Sequence, residues 1–180
     1  MTTQPMQNQI RRTILLSFLA VMAIAPVSAE GKAHKFPLSS YDTTGCRFKG
    51  RSQDCSDKVM AAILARGKDS IPILISQLTD TEGTKKPAEE GWSYTASGDV
   101  AYIMLISLFT DSKGAFHLTD VPTWKNVING CNLSMEGCWR EYVFKNGRKS
   151  VQKAWMDAWN LNKDKIQWDA AERCFEVSKK

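Results

Sequence analysis

The chain has 180 residues, 43% of them apolar and 24% charged, with 11 Gly and 6 Pro. That composition excludes a disordered chain and a collagen-like or Pro/Gly-rich one, and the length suits one globular domain. The formal net charge of +5 includes scattered pairs such as Lys85-Lys86, Arg148-Lys149 and Lys179-Lys180. They form no concentrated basic face, so nucleic acid is not an expected partner.

Residues 1–9 are polar and carry no carboxylate; Arg11-Arg12 follows, then an apolar run over 14–25, then Pro26-Val27-Ser28-Ala29. A basic start, an apolar stretch and a small-x-small ending describe a secretory signal peptide, cleaved after Ala29. The apolar run falls short of the roughly 20 residues that span a bilayer. No stable membrane span is therefore expected once the leader is removed. The first cysteine, Cys46, is far from that cleavage point, which argues against a lipid anchor. Cleavage removes two Arg and no carboxylate, so +5 becomes +3. The expected product is exported, periplasmic or secreted.

Residues 30–44 are polar, with Pro37 and Ser39-Ser40, and read as a linker or surface strap; 45–180 read as a single helical domain. A helix is expected over 56–66, capped by Ser56, stopped by Gly67, with Val59, Met60, Ile63 and Leu64 on one face. A second is expected over 69–78, capped by Asp69 or Ser70, with Pro72 in its first turn and Ile71, Leu74, Ile75 and Leu78 buried. Residues 79–97 form a long polar loop holding Glu89, Glu90, Trp92 and Tyr94. Residues 99–109 are apolar nearly all round and should be a central buried helix, capped by Ser97 or the Gly98-Asp99 start.

Further on, 122–128 can form a short helix and 139–144 a helical turn or two, ended at Asn146-Gly147. Residues 149–161 carry Val151, Ala154, Trp155, Ala158 and Trp159 on one helical face, which makes both Trp core residues. Over 164–177 the alternation of Ile166 with Trp168, and of Phe175 with Val177, points to a β-hairpin turning at 169–173. A short helix at 170–174 is the alternative.

Five cysteines, Cys46, Cys55, Cys131, Cys138 and Cys174, suggest disulfides in an exported protein. Proximity favours Cys46 with Cys55 and Cys131 with Cys138, leaving Cys174 as a buried thiol, though spacing does not fix connectivity. The pairs are too widely spaced for a structural zinc knuckle, and no C-x-x-C redox motif is present. No metal and no cofactor are indicated.

The stretch Gly67-Lys-Asp-Ser-Ile-Pro-Ile-Leu-Ile-Ser-Gln-Leu-Thr-Asp80, followed by Gly98-Asp-Val-Ala-Tyr-Ile-Met-Leu-Ile-Ser-Leu-Phe-Thr-Asp111, resembles a HEAT-like helical repeat over 56–111. The resemblance implies HEAT-like helix pairs packed around one central helix, and a surface that binds protein. It carries over no catalytic residue.

His34 and His117 could serve acid–base chemistry, but nothing in the sequence brings them together. Glu89 and Glu90 beside Trp92 and Tyr94 could hold a saccharide; two adjacent carboxylates in a polar loop are more often simply solvated. Tyr94, Trp92 and Trp124, near loops, are the better ligand-facing aromatics. No P-loop, Rossmann fingerprint, G-x-S-x-G or H-E-x-x-H motif occurs, and no catalytic residue is assigned. The expectation is a mainly α, exported protein-interaction module of the inhibitor or immunity type, with an extracytoplasmic protein partner. The rivals are a cell-wall-directed hydrolase and a non-catalytic saccharide-binding domain.

Overall fold

A computed structural model of the chain describes residues 34–41, 57–85, 94–118 and 135–178, all within the unit Lys32–Lys180. The leader at 1–29, the helix expected over 122–128, and Cys46, Cys55, Glu89, Glu90, Trp92, Trp124 and Cys131 lie outside the described residues.

Helix α1, Lys58–Arg66, starts at Asp57, whose Oδ1 accepts from the N–H groups of Val59 (2.7 Å) and Met60 (3.1 Å). Asp57, not Ser56, is thus the cap: its carboxylate satisfies two orphan donors and suits the positive end of the helix. Gly67 ends the helix at φ +58°, a conformation natural to glycine. A 3₁₀ turn, Gly67–Asp69, leads into α2, Ser70–Gln77. Neither candidate cap works through its side chain here. Asp69 makes no cap bond, and the Ser70 hydroxyl donates back to the Gly67 carbonyl at 2.6 Å. An eight-residue helix is not stable by itself. Its stability comes from Ile71, Leu74 and Ile75, with Leu78 just beyond, all fully buried; each stabilises by about 1.5–3 kcal/mol relative to exposure.

Helix α3, Ser97–Leu108, has ten of its twelve residues buried, which is why its sequence shows no polar face. It starts after Ala96, whose N–H donates to Asp99 Oδ2 at 2.8 Å. Ser97 is not the cap: its buried hydroxyl makes no hydrogen bond among the described residues. The two ends of the 79–97 loop zip together. Thr84 N–H donates to Thr95 O (2.9 Å) and Ser97 N–H to Glu82 O (2.7 Å), with Gly83 bridged to Ala96.

Helix α4, Met135–Asn146, is longer than the turn or two expected, and after Gly147 (φ +76°) comes α5, Arg148–Asn162. Val151, Trp155, Ala158 and Trp159 are buried, so both Trp of this helix belong to the core. A 3₁₀ turn, Lys163–Lys165, precedes β1, Ile166–Asp169, which pairs antiparallel with β2, Cys174–Val177. Asp169 pairs with Cys174, so the turn is 170–173, one residue shorter than expected. Asp169 Oδ1 organises it by accepting from Ala171 N–H (2.8 Å) and Glu172 N–H (3.1 Å). The described protein is mainly helical, with this one small C-terminal hairpin.

Residues 34–41 differ from the expected linker or surface strap. Phe36, Leu38 and Tyr41 are buried in the core cluster. The buried Gln77 side chain holds the segment from both sides: it accepts from Phe36 N–H (2.9 Å) and donates to Phe36 O (2.8 Å). One amide thereby satisfies both backbone polar groups of a buried residue.

Cys138 is disulfide-bonded, its partner lying outside the described residues; no disulfide joins two described cysteines. Cys174 is free and buried.

Candidate functional site

Three helices converge on one carboxylate. Asp99, 7% exposed, sits in the first turn of α3. Its Oδ1 accepts from Trp139 Nε1 (2.8 Å) on α4 and from Arg148 Nη2 (2.6 Å) at the start of α5. Arg148 Nη1 also donates to the Leu78 carbonyl at the end of α2, at 3.1 Å. Two charges that meet this far from bulk water count for stability only if their remaining donors and acceptors are also met. Here the Asp99 carboxylate also accepts from Ala96 N–H and Trp139 Nε1, and Arg148, 21% exposed, also donates to Leu78 O.

Gly98 makes the convergence possible. Its N–H donates to Asp80 O at 2.9 Å. A Cβ there would lie 2.5 Å from Leu78 O, 2.7 Å from Arg148 Nη1 and 2.8 Å from Asp80 O. Tyr102 stacks on Trp139 with centroids 4.4 Å apart, and meets Trp155 edge-on at 6.1 Å. The Arg148 guanidinium lies 5.7 Å from the Trp139 ring centre. Trp139, 2% exposed, is fixed from several directions.

Beside this network a cleft of about 490 Å³ opens between Tyr94 and α4, with Arg140, Glu141, Val143 and Phe144 along it and Asp99, Trp139 and Arg148 behind. Tyr94 is 57% exposed and Phe144 92%. The Tyr94 hydroxyl donates to Thr81 O at 2.8 Å, so the ring is held while its face stays open. The cleft offers exposed aromatic surface, a guanidinium and a carboxylate over a rigid floor. Those groups suit recognition, in which aromatic and Arg anchors contribute most of the binding energy.

Of the binding candidates expected from the sequence, Tyr94 is the described one, and it lines this cleft. Trp139, Arg140, Phe144 and Arg148 were not anticipated. Phe144 had a signal: it ends the apolar run Tyr142-Val143-Phe144, just before Lys145 and the Asn146-Gly147 stop. Arg148 follows that stop directly. Nothing local ties Arg148 or Trp139 to Asp99.

The histidines stand apart. His34 is exposed in the N-terminal segment, and no hydrogen bond or ion pair joins it to His117. His117 Nε2 lies 3.4 Å from Asp111 Oδ2. Asp111 Oδ1 accepts from Lys113 N–H and Ala115 N–H, each at 2.8 Å. The Ala115 bond above all holds the Asp111 carboxyl below its ordinary pKa; desolvation opposes it, and the Lys113 bond with the neighbouring His117 and Lys113 charges adds to the lowering. The Ser112 hydroxyl and N–H both donate to Glu172 Oε2 and lower its pKa too, the hydroxyl more. These bonds tie the loop after α3 to the hairpin turn.

Cys174 lies beside this junction. Burial first, then the carboxylates of Asp169, Asp111, Glu172 and Glu176, push its thiol up to about 11. A thiol raised that far stays protonated at neutral pH and is a poor nucleophile. Among the described residues no group of three His, Cys, Asp or Glu is placed to hold a metal ion, and no helix is long and apolar enough to cross a membrane.

No protein-family model, curated protein or solved structure matches the chain.

Proposed function

We propose that this chain is an exported helical protein-interaction module, of the inhibitor or immunity type, that docks an extracytoplasmic protein in the cleft between Tyr94 and α4. The observation that carries the reading is the pairing of two exposed aromatic rings, Tyr94 and Phe144, with Arg140 and Glu141 on a floor fixed by Trp139 and Arg148. A ring left 92% exposed gains nothing for the fold and is worth most when a partner covers it. HEAT-like packing of α1 to α3 belongs to the same proposal, since such helix pairs present surfaces of this kind. So does export by the leader at 1–29.

The test is affinity capture of the C-terminally tagged chain, expressed with its own leader in its native cells. One protein should co-purify at stoichiometric yield, and Phe144→Ala or Arg140→Ala should weaken that complex by about tenfold or more. Phe144→Ala should leave the melting temperature unchanged. A chain that captures no protein, or a complex indifferent to both substitutions, would sink this reading and favour saccharide ligands instead.

A further inference from the structure

A second cleft, of about 320 Å³, is walled by Leu64 near the end of α1, Leu108 at the end of α3, and Trp168 and Phe175 from the hairpin. Gly67 and Lys68 border it. A Cβ on Gly67 would meet nothing within 4 Å, so bare backbone faces open space there. Trp168, 43% exposed, meets Phe175 edge-on with centroids 4.9 Å apart. An indole braced this way and left open is a ready apolar wall.

Lys68 supplies the one charge in that lining. It is half-buried, and its Nζ donates to Ile166 O at 2.9 Å. That bond uses one of three ammonium donors. Among the described residues Lys68 forms no ion pair. A half-buried cation beside apolar walls, whose described protein partner is a neutral carbonyl, is favoured further by an anion placed next to it.

We propose that this cleft binds a small amphipathic carboxylate, its acid group at Lys68 Nζ and its apolar tail among Leu64, Leu108, Trp168 and Phe175. The volume is at the lower end of the roughly 300–1,000 Å³ typical of ligand pockets. That suits one short aliphatic or aromatic acid and not a polypeptide. The site is independent of the Tyr94 cleft.

The experiment is calorimetric titration of the purified chain with octanoate, octanamide and octylamine, with Trp fluorescence followed in parallel. Octanoate should bind and change the emission. Octanamide should bind about tenfold more weakly or worse, because it lacks the charge that pairs with the ammonium. Octylamine should not bind. Lys68→Met keeps an apolar stem and should bring the acid and the amide to equal affinity. Trp168→Phe should abolish the emission change and keep octanoate binding. The acid-to-amide ratio on the unsubstituted protein decides the matter even if Lys68→Met fails to fold. No heat from octanoate at millimolar concentration, equal affinity for acid and amide, or acid preference surviving in a folded Lys68→Met would each overturn the assignment.

Discussion

Gly98 is surrounded by two backbone carbonyls and a guanidinium, all closer than a Cβ tolerates. Backbone does not yield as a flexible side chain does, so Gly98→Ala must move α3 away from the end of α2. We expect a loss of about 2–3 kcal/mol, the range for overpacking a tight site, measured by urea unfolding. A loss under about 0.5 kcal/mol, the size of an ordinary surface change, would show that the two helices are not clamped there. Arg148→Met should cost a similar amount, because it strands the Asp99 carboxylate in a nearly closed site. Its guanidinium is partly exposed, at 21%, which keeps the cost below the about 3–5 kcal/mol of fully buried pairs. The same residues explain why the site was hard to foresee. Asp99 is separated from Trp139 by 40 positions and from Arg148 by 49, and no local pattern encodes such a meeting. Tyr94 could be singled out because an aromatic in a polar loop is conspicuous by itself.

At the scale of elements, the Glu172 carboxylate joins the hairpin turn to the loop after α3, the Asp111 carboxylate organises that loop, and both are acid-labile. Both Asp111 and Glu172 have folded pKa values below their ordinary values of 3.8 and 4.5. Their contribution is full above those ordinary values and is lost as the pH falls through the depressed folded ones. Melting temperature should therefore drop below about pH 4.5, and Glu172→Gln should flatten that acid limb while changing little at pH 7. An acid limb identical in the variant would mean that the Ser112 bonds do not couple to folding. Helices α1, α2, α3 and α5 were readable because each sets apolar residues at helical spacing or, in α3, everywhere. The hairpin was readable from alternation. The caps were less so: Asp57 and Ser56 are both good cap residues, and only the turn geometry chooses between them. The length of α4 was hidden because Cys138 and Gly137 near its start read as loop.

For the molecule as a whole, the segment at 34–41 is core, not ornament. Its burial was missed because Phe36, Leu38 and Tyr41 are separated by Pro and Ser and follow no helical or strand period. Their partners, Gln77 above all, lie 41 positions downstream. Leu38, 1% exposed, should behave as a central residue: Leu38→Ala is expected to cost about 2–5 kcal/mol, a large share of a typical domain's about 5–15. Denaturant unfolding would read it, and a near-zero change would return the segment to the surface. The Arg148 contact has a further consequence, for the chain as it is being made. Asp99 and the Leu78 carbonyl are synthesised 49 and 70 residues before the arginine that joins them. Until then the first half of the protein carries a carboxylate at a helix start with no counter-charge and a carbonyl with one donor missing. A chain cut short before Arg148 is therefore expected to lack this closure, and limited proteolysis should cleave it faster than the full chain.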